Sequence, residues 1–136
     1  IAERVTEDDF FKVGTYGGTI ISSALNKEIE IIDKEYHPSS WNIYTFYCGD
    51  GDNWGIDNEK AVECFEKLKE INQMMCYTEI GDVDGEGNRN KYNLFANGGK
   101  SLWAHLTRLE GPTLKRVGLS CHDDIWPAFK KLFGGR

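Results

Sequence analysis

A chain of 136 residues with 40% hydrophobic residues has the size of one ordinary domain and enough apolar content for a core. Its formal charge of −6 and isoelectric point near 5.1 create a field that repels phosphate backbones and anionic lipid surfaces, so neither nucleic acid nor a membrane is the expected partner. No stretch reaches the roughly 18 apolar residues of a membrane span, and the opening IAERVTEDDFF is charged rather than signal-like.

Along the chain, Ile21, Leu25, Ile29, Ile32 and Tyr36 recur at spacings of four and three, which predicts an amphipathic helix over 20–36. His37-Pro38-Ser39-Ser40 ends it, because the residue before a proline is pushed out of helical geometry. WNIYTFYC at 41–48 is aromatic, β-branched and uncharged, the composition of a strand covered on both faces. Asp57 is placed to cap a second helix over 58–71, with Ala61, Phe65 and Leu68 on one face. MMCYTEI at 74–80 predicts a strand and DVDGEGNRNKYN at 82–93 a surface loop. Leu102, Leu106 and Leu109, beside Trp103, mark a third helix closed by Gly111-Pro112.

KRVGLSC at 115–121 reads as another strand, and Asp123 or Asp124 as the cap of a last helix with Ile125, Phe129 and Leu132 inward. This alternation predicts an α/β fold, a parallel sheet with helices on both faces, since parallel strands need crossover connections. Only three strands are found, and no strand precedes the first helix. The expectation is a single partial domain over 1–136 whose N-terminal strands are missing. The four cysteines, Cys48, Cys64, Cys76 and Cys121, lie in apolar stretches without CxxC spacing. They read as buried free thiols of a reducing, cytoplasmic environment.

In such sheets ligands bind beyond the carboxyl ends of the strands. Gly17-Gly18-Thr19 opens the first helix: the glycines let backbone approach a ligand and Thr19 offers a hydroxyl, although simple capping is the plainer reading. The loop Gly49-Asp50-Gly51-Asp52-Asn53-Trp54 follows the first strand. Its two carboxylates, two residues apart, suit a hard cation such as Mg²⁺ or Mn²⁺, although Asp and Gly are also ordinary turn formers.

Together these segments, FFKVGTYGGTIISSAL and PSSWNIYTFYCGDGDNW, with MCYTEI and the Asp-Ile-Trp-Pro-Ala-Phe near the C-terminus, resemble the YhbH/YeaH family, a divergent branch of the von Willebrand factor A-like (Rossmann-like) fold. The resemblance covers nearly the whole chain, more weakly between 82 and 120. It implies the second half of such a domain, and a metal-ion-dependent adhesion site in which Thr19 and Asp50 take two of three ligand positions, with Asp52 the weaker candidate. The Asp-x-Ser-x-Ser element of that site is absent here, so the expected site is incomplete and empty of Mg²⁺ or Mn²⁺.

The resemblance also implies a role in sporulation or stress response alongside a PrkA-type serine kinase or a SpoVR-like protein. The function expected is therefore a non-enzymatic protein-binding module. Gly17, Gly18 and Trp54 would flank its contact surface, and a homodimer would form through the edge of strand 41–48. The alternative is a metal-dependent hydrolase or phosphoryl-transfer enzyme using Asp50 and Asp52, for which the sequence offers no nucleophile motif. The 82–93 loop matches an EF-hand in its first positions but carries Asn93 where a bidentate Glu is needed. His37, His105 and His122 show no ligand spacing. Trp41, Trp103 and Trp126 read as packing residues.

Overall fold

The computed structural model describes residues 2–12, 20–51, 53–81 and 102–134. Its elements are α1 (Glu7–Lys12), α2 (Ile21–Glu35), β1 (Ile43–Gly49), α3 (Asn58–Ile71), β2 (Asn72–Ile80), α4 (Leu102–Leu106), β3 (Leu114–Leu119) and α5 (Ile125–Phe133). The strands form one parallel sheet in the order β1-β2-β3, as the alternation of helix and strand predicts. The 82–93 loop lies outside the described residues.

Period-2 alternation divides the side chains of the sheet between two layers. On one face Met75 and Tyr77 of β2 and Leu114 of β3 pack with Ile21, Leu25 and Ile32 of α2, Phe65 and Leu68 of α3, and Leu102 and Leu106 of α4, all buried. Tyr47 stacks on Tyr77 with ring centroids 5.4 Å apart, and Phe65 meets both rings edge-on. Arg116, the one charged residue of β3 on this side, is buried with its guanidinium 4.5 Å above the Trp103 ring. It donates to the Glu110 carboxylate and the Trp103 carbonyl, tying β3 to the α4 segment.

The opposite face is thinner. There α5 covers Cys76 and Val117 with Leu132 and Ala128, and the ammonium of Lys115 donates to the Leu132 carbonyl. Tyr44, Phe46 and Cys48 of β1 point to this side and are exposed. Four expectations change as a result. β1 is covered on one face only, because α5 sits over β2 and β3. Within α5, Leu132 is buried as expected, but Ile125 and Phe129 are about half exposed. Cys48 and Cys121 are exposed, while Cys64 and Cys76 are buried and all four thiols are free. Trp41 and Trp126 are exposed, and only Trp103 packs against the core.

α1 is an element that the sequence pattern did not predict. Thr6 starts it, its hydroxyl accepting from the Asp9 amide at 3.2 Å, and Glu7, Asp8 and Asp9 suit the positive end of a helix. None of its residues is buried.

Candidate functional site

The carboxyl ends of the three strands meet the loop after β1 and the start of α2. Position by position, β1 ends at Gly49 and pairs there with Glu79 of β2. A Cβ on Gly49 would come within 2.9 Å of the Tyr47 hydroxyl, so the glycine leaves room for that ring. Asp50 follows, exposed, and Gly51 turns the chain with φ 78°, a conformation that favours glycine.

The loop then crosses to α2. Asn53 Oδ1 accepts from the Ile21 amide at 3.2 Å, and its amide nitrogen donates to Asn58 at 2.9 Å. The buried Asp57 carboxylate accepts from the Ser22 amide at 3.0 Å and from the Ser22 hydroxyl. First-turn amides of a helix have no partner inside it; here residues more than thirty positions away satisfy two of them. Asp57 therefore does not cap α3, the role its position predicts, and makes no side-chain cap bond there. Its carboxylate is used at the positive end of α2 instead.

Beneath the loop lies an aromatic and acidic floor. Glu79 is fully buried and accepts from the Tyr77 hydroxyl at 2.8 Å. Burial pushes the Tyr47 phenol up to about 12, helped by the nearby negative charge of Asp50 and of Glu79. Glu79 is the residue at this edge that the sequence reading missed. Its signal was present: it is the single acidic group at the end of an otherwise uncharged strand.

At the far side of the same edge, Ile80, Leu119, Cys121, His122 and Ile125 line an open, mainly apolar pocket of about 350 Å³. Asp124 bonds to two of the residues beside it, Ser120 and Cys121. The Ser120 hydroxyl and the Ser120 and Cys121 amides donate to its carboxylate, which they hold down to about 2. Asp124 thus binds the turn ahead of α5 and does not cap that helix with its side chain.

Of the residues singled out from sequence, Asp50 stands at the carboxyl edge and Trp54 is 62% exposed in the adjoining turn. Gly17, Gly18, Thr19 and Asp52 lie outside the described residues. Among those described, no three His, Cys, Asp or Glu side chains come together as a metal-binding group. No helix among them is long and apolar enough to cross a membrane.

The family described as "Protein of unknown function (DUF444)" matches residues 1–136. The chain belongs to this family. It is 40% identical over 131 residues to a UPF0229 protein of Ruminiclostridium cellulolyticum, a match covering 96% of this chain and 30% of that one. A UPF0229 protein of Oceanobacillus iheyensis is 36% identical over 132 residues, 97% of this chain and 30% of its own. One from Clostridium perfringens is 47% identical over 79 residues, 58% of this chain and 20% of its own. The DUF444 chain therefore spans about 30% of the longest-matching curated relatives. Family membership agrees broadly with the YhbH-type resemblance. No solved structure matches the chain.

Proposed function

We propose that this DUF444 chain is a non-enzymatic protein-binding module: part of a von Willebrand factor A-like domain that engages an acidic group of a partner through a divalent cation at the carboxyl edge of its sheet. The observation that carries the reading is the junction of Asn53 and Asp57 with Ile21 and Ser22. It fastens the loop that holds Asp50 to the segment immediately after Gly17-Gly18-Thr19. Carboxylate and hydroxyl oxygens from two such loops are the hard donors that Mg²⁺ and Mn²⁺ prefer. The exposed Trp54 beside them offers the kind of aromatic anchor on which protein contacts concentrate. The remaining donors of the site would come from the part of the longer family protein that this chain does not span.

The proposal extends to a cytoplasmic protein of the sporulation or stress response whose partner is a PrkA-type kinase or a SpoVR-like protein. Four free thiols, two of them exposed, support a reducing compartment.

Calorimetric titration with Mn²⁺ tests the cation site. The longer family protein is expected to bind one ion and to lose it on Asp50→Ala, whereas the 136-residue chain binds weakly or not at all. Tight stoichiometric binding by the 136-residue chain, lost on Asp50→Ala, would show a self-sufficient site and overturn the incomplete-site reading. Full retention of binding in the longer Asp50→Ala protein would overturn the site itself.

A further inference from the structure

The open face of β1 forms a shelf beside α5. Tyr44 and Phe46 on it are 57% and 52% exposed, and Cys48 is exposed as well. Next to them α5 presents Trp126, Phe129 and Phe133, each about half exposed. Trp126 stacks on Phe129 with centroids 5.7 Å apart, Phe129 lies 4.7 Å from Phe133, and Phe133 lies 6.1 Å from Phe46. The adjoining row of the sheet is uncharged too, since Tyr44, Phe46 and Cys48 pair with Met74, Cys76 and Thr78 of β2. Isolated apolar side chains are common on protein surfaces, whereas a contiguous patch of rings marks a contact.

One more helix fits the shelf, on one condition. A helix is about as wide as two strands, and α5 already covers β2 and β3. A helix over β1 therefore needs a further strand outside it. Among the described residues the outer edge of β1 carries no strand, so its backbone groups can take one. A parallel strand arrives joined to a crossover helix, and such a unit needs about 30 residues. The Ruminiclostridium cellulolyticum relative is matched over 30% of its length, which leaves that protein ample chain outside the matched region.

The other occupants fit less well. The chain's own α1 is led in by a segment fixed to α2 on the opposite face, through Ala2 to Ser23 and Arg4 to Glu35. A second copy meets a charge conflict. The Lys115 ammonium, at the start of β3, donates to the Leu132 carbonyl near the end of α5, so α5 runs back against the strands. A twofold axis that laid α5 of each copy on β1 of the other would run along the strands, and the two α5 helices would lie side by side in the same direction. Asp123 and Asp124, directly before α5, would then face their own counterparts, as would Lys130 and Lys131 in its last turn. Like charges so placed repel.

We propose that the longer family protein covers this shelf itself. A strand from outside residues 1–136 pairs with the outer edge of β1, and the helix joined to it seats an apolar stripe on Tyr44, Phe46, Phe129 and Phe133 beside α5. The cover does not depend on Asp50, which stands at the carboxyl edge of the sheet and not on this face. It also closes, in the longer protein, the β1 edge that the sequence offers to a second copy.

Thiol labelling read by peptide mass spectrometry tests the cover, with the longer family protein carrying these 136 residues set beside the 136-residue chain. Cys48 lies on the shelf and Cys64 is buried in the closed-side core, so the first reports the cover and the second reports folding. In the 136-residue chain Cys48 is expected to react as an exposed thiol, and in the longer protein at least about tenfold more slowly. Phe46→Ser combined with Phe129→Ser in the longer protein should return Cys48 to near the rate of the 136-residue chain while Cys64 stays protected. General unfolding would not leave Cys64 protected. Tyr44→Lys, at a position already 57% exposed in the 136-residue chain, is the milder variant and should speed Cys48 labelling in the longer protein only. Equal Cys48 rates in the two wild-type proteins would overturn the proposal. So would protection that survives both the ring variants and Tyr44→Lys, or protection in the 136-residue chain that grows with its concentration, the mark of a second copy on the same face.

Discussion

On the side of the sheet carrying α2, α3 and α4, Met75, Tyr77 and Leu114 are fully buried at the centre of a large apolar cluster, whereas on the side carrying α5 the buried apolar cluster consists of Cys76, Val117 and Leu132. The same strands supply both sides, and β1 carries two aromatic residues on the open side, Tyr44 and Phe46, where β2 carries one, Tyr77, on the closed side. Helix width explains the difference. A helix with its side chains is about 10 Å across and strands lie about 4.8 Å apart, so one helix covers about two strands. The nine residues of α5 cover β2 and β3 and leave β1 uncovered. Apolar residues in a strand therefore do not by themselves say that both faces are buried; the number of helices available on each side decides it.

Substitution should separate the two sides most sharply at their aromatic residues. Phe65 is fully buried against Tyr47 and Tyr77, and Phe65→Ala is expected to cost about 3–5 kcal/mol, the range for a large side chain removed from a core. Phe129→Ala on the open side should cost less than about 1 kcal/mol, because half the ring already lies in water. Urea unfolding of both variants checks the contrast, and equal losses would mean that the open side is as tightly packed as the closed one.

The next effect belongs to Asp57. Asp57→Ala leaves the buried Ser22 hydroxyl and amide without their acceptor and removes a negative charge from the positive end of α2. The expected loss is about 2–3 kcal/mol. Because the same bonds fasten the Asp50 loop to α2, amide exchange should also accelerate at Ile21, Ser22 and Asn53. A stability loss without faster exchange there would detach the cap from the proposed cation site.

Much of the closed side was legible in the sequence, because Leu25, Ile32, Ala61, Phe65 and Leu68 repeat at helical spacing and the strands interrupt that period. The parallel order followed from the crossovers. What could not be read there depends on contacts between distant parts of the chain. Asp57 looks like a local cap because it directly precedes a helix, yet its bonds go to Ser22, thirty-five positions earlier. Ile125 and Phe129 show the helical repeat of a buried stripe, but the sheet beneath them is too narrow on that side to cover both. α1 is six residues long, below the length at which a helix shows a pattern or stands alone. At the candidate site the position of Asp50 after the first strand was legible from the Gly-Asp-Gly sequence, while the role of Glu79 required the pairing of β1 with β2.

The smallest effects are pH-dependent and have opposite signs on the two sides. On the closed side the Glu28 carboxylate accepts from the Thr45 hydroxyl, and burial is the larger influence, raising its pKa above the ordinary 4.5. A carboxyl raised in the folded state favours folding when protonated: its contribution is fully present below 4.5 and is lost as pH rises through the folded value. Glu28→Gln, which keeps an acceptor for Thr45, should therefore melt above the wild type at neutral pH and converge with it in acid. On the open side Asp124 is held down to about 2 by the Ser120 hydroxyl and two amides. Its contribution is present above the ordinary 3.8 and is lost as pH falls through about 2, so Asp124→Asn should melt below the wild type at neutral pH and approach it only near pH 2. Paired thermal melts across this range test both signs. A Glu28→Gln variant less stable than the wild type at neutral pH would show that the Thr45 hydrogen bond outweighs burial, and would reverse the sign assigned to the closed side.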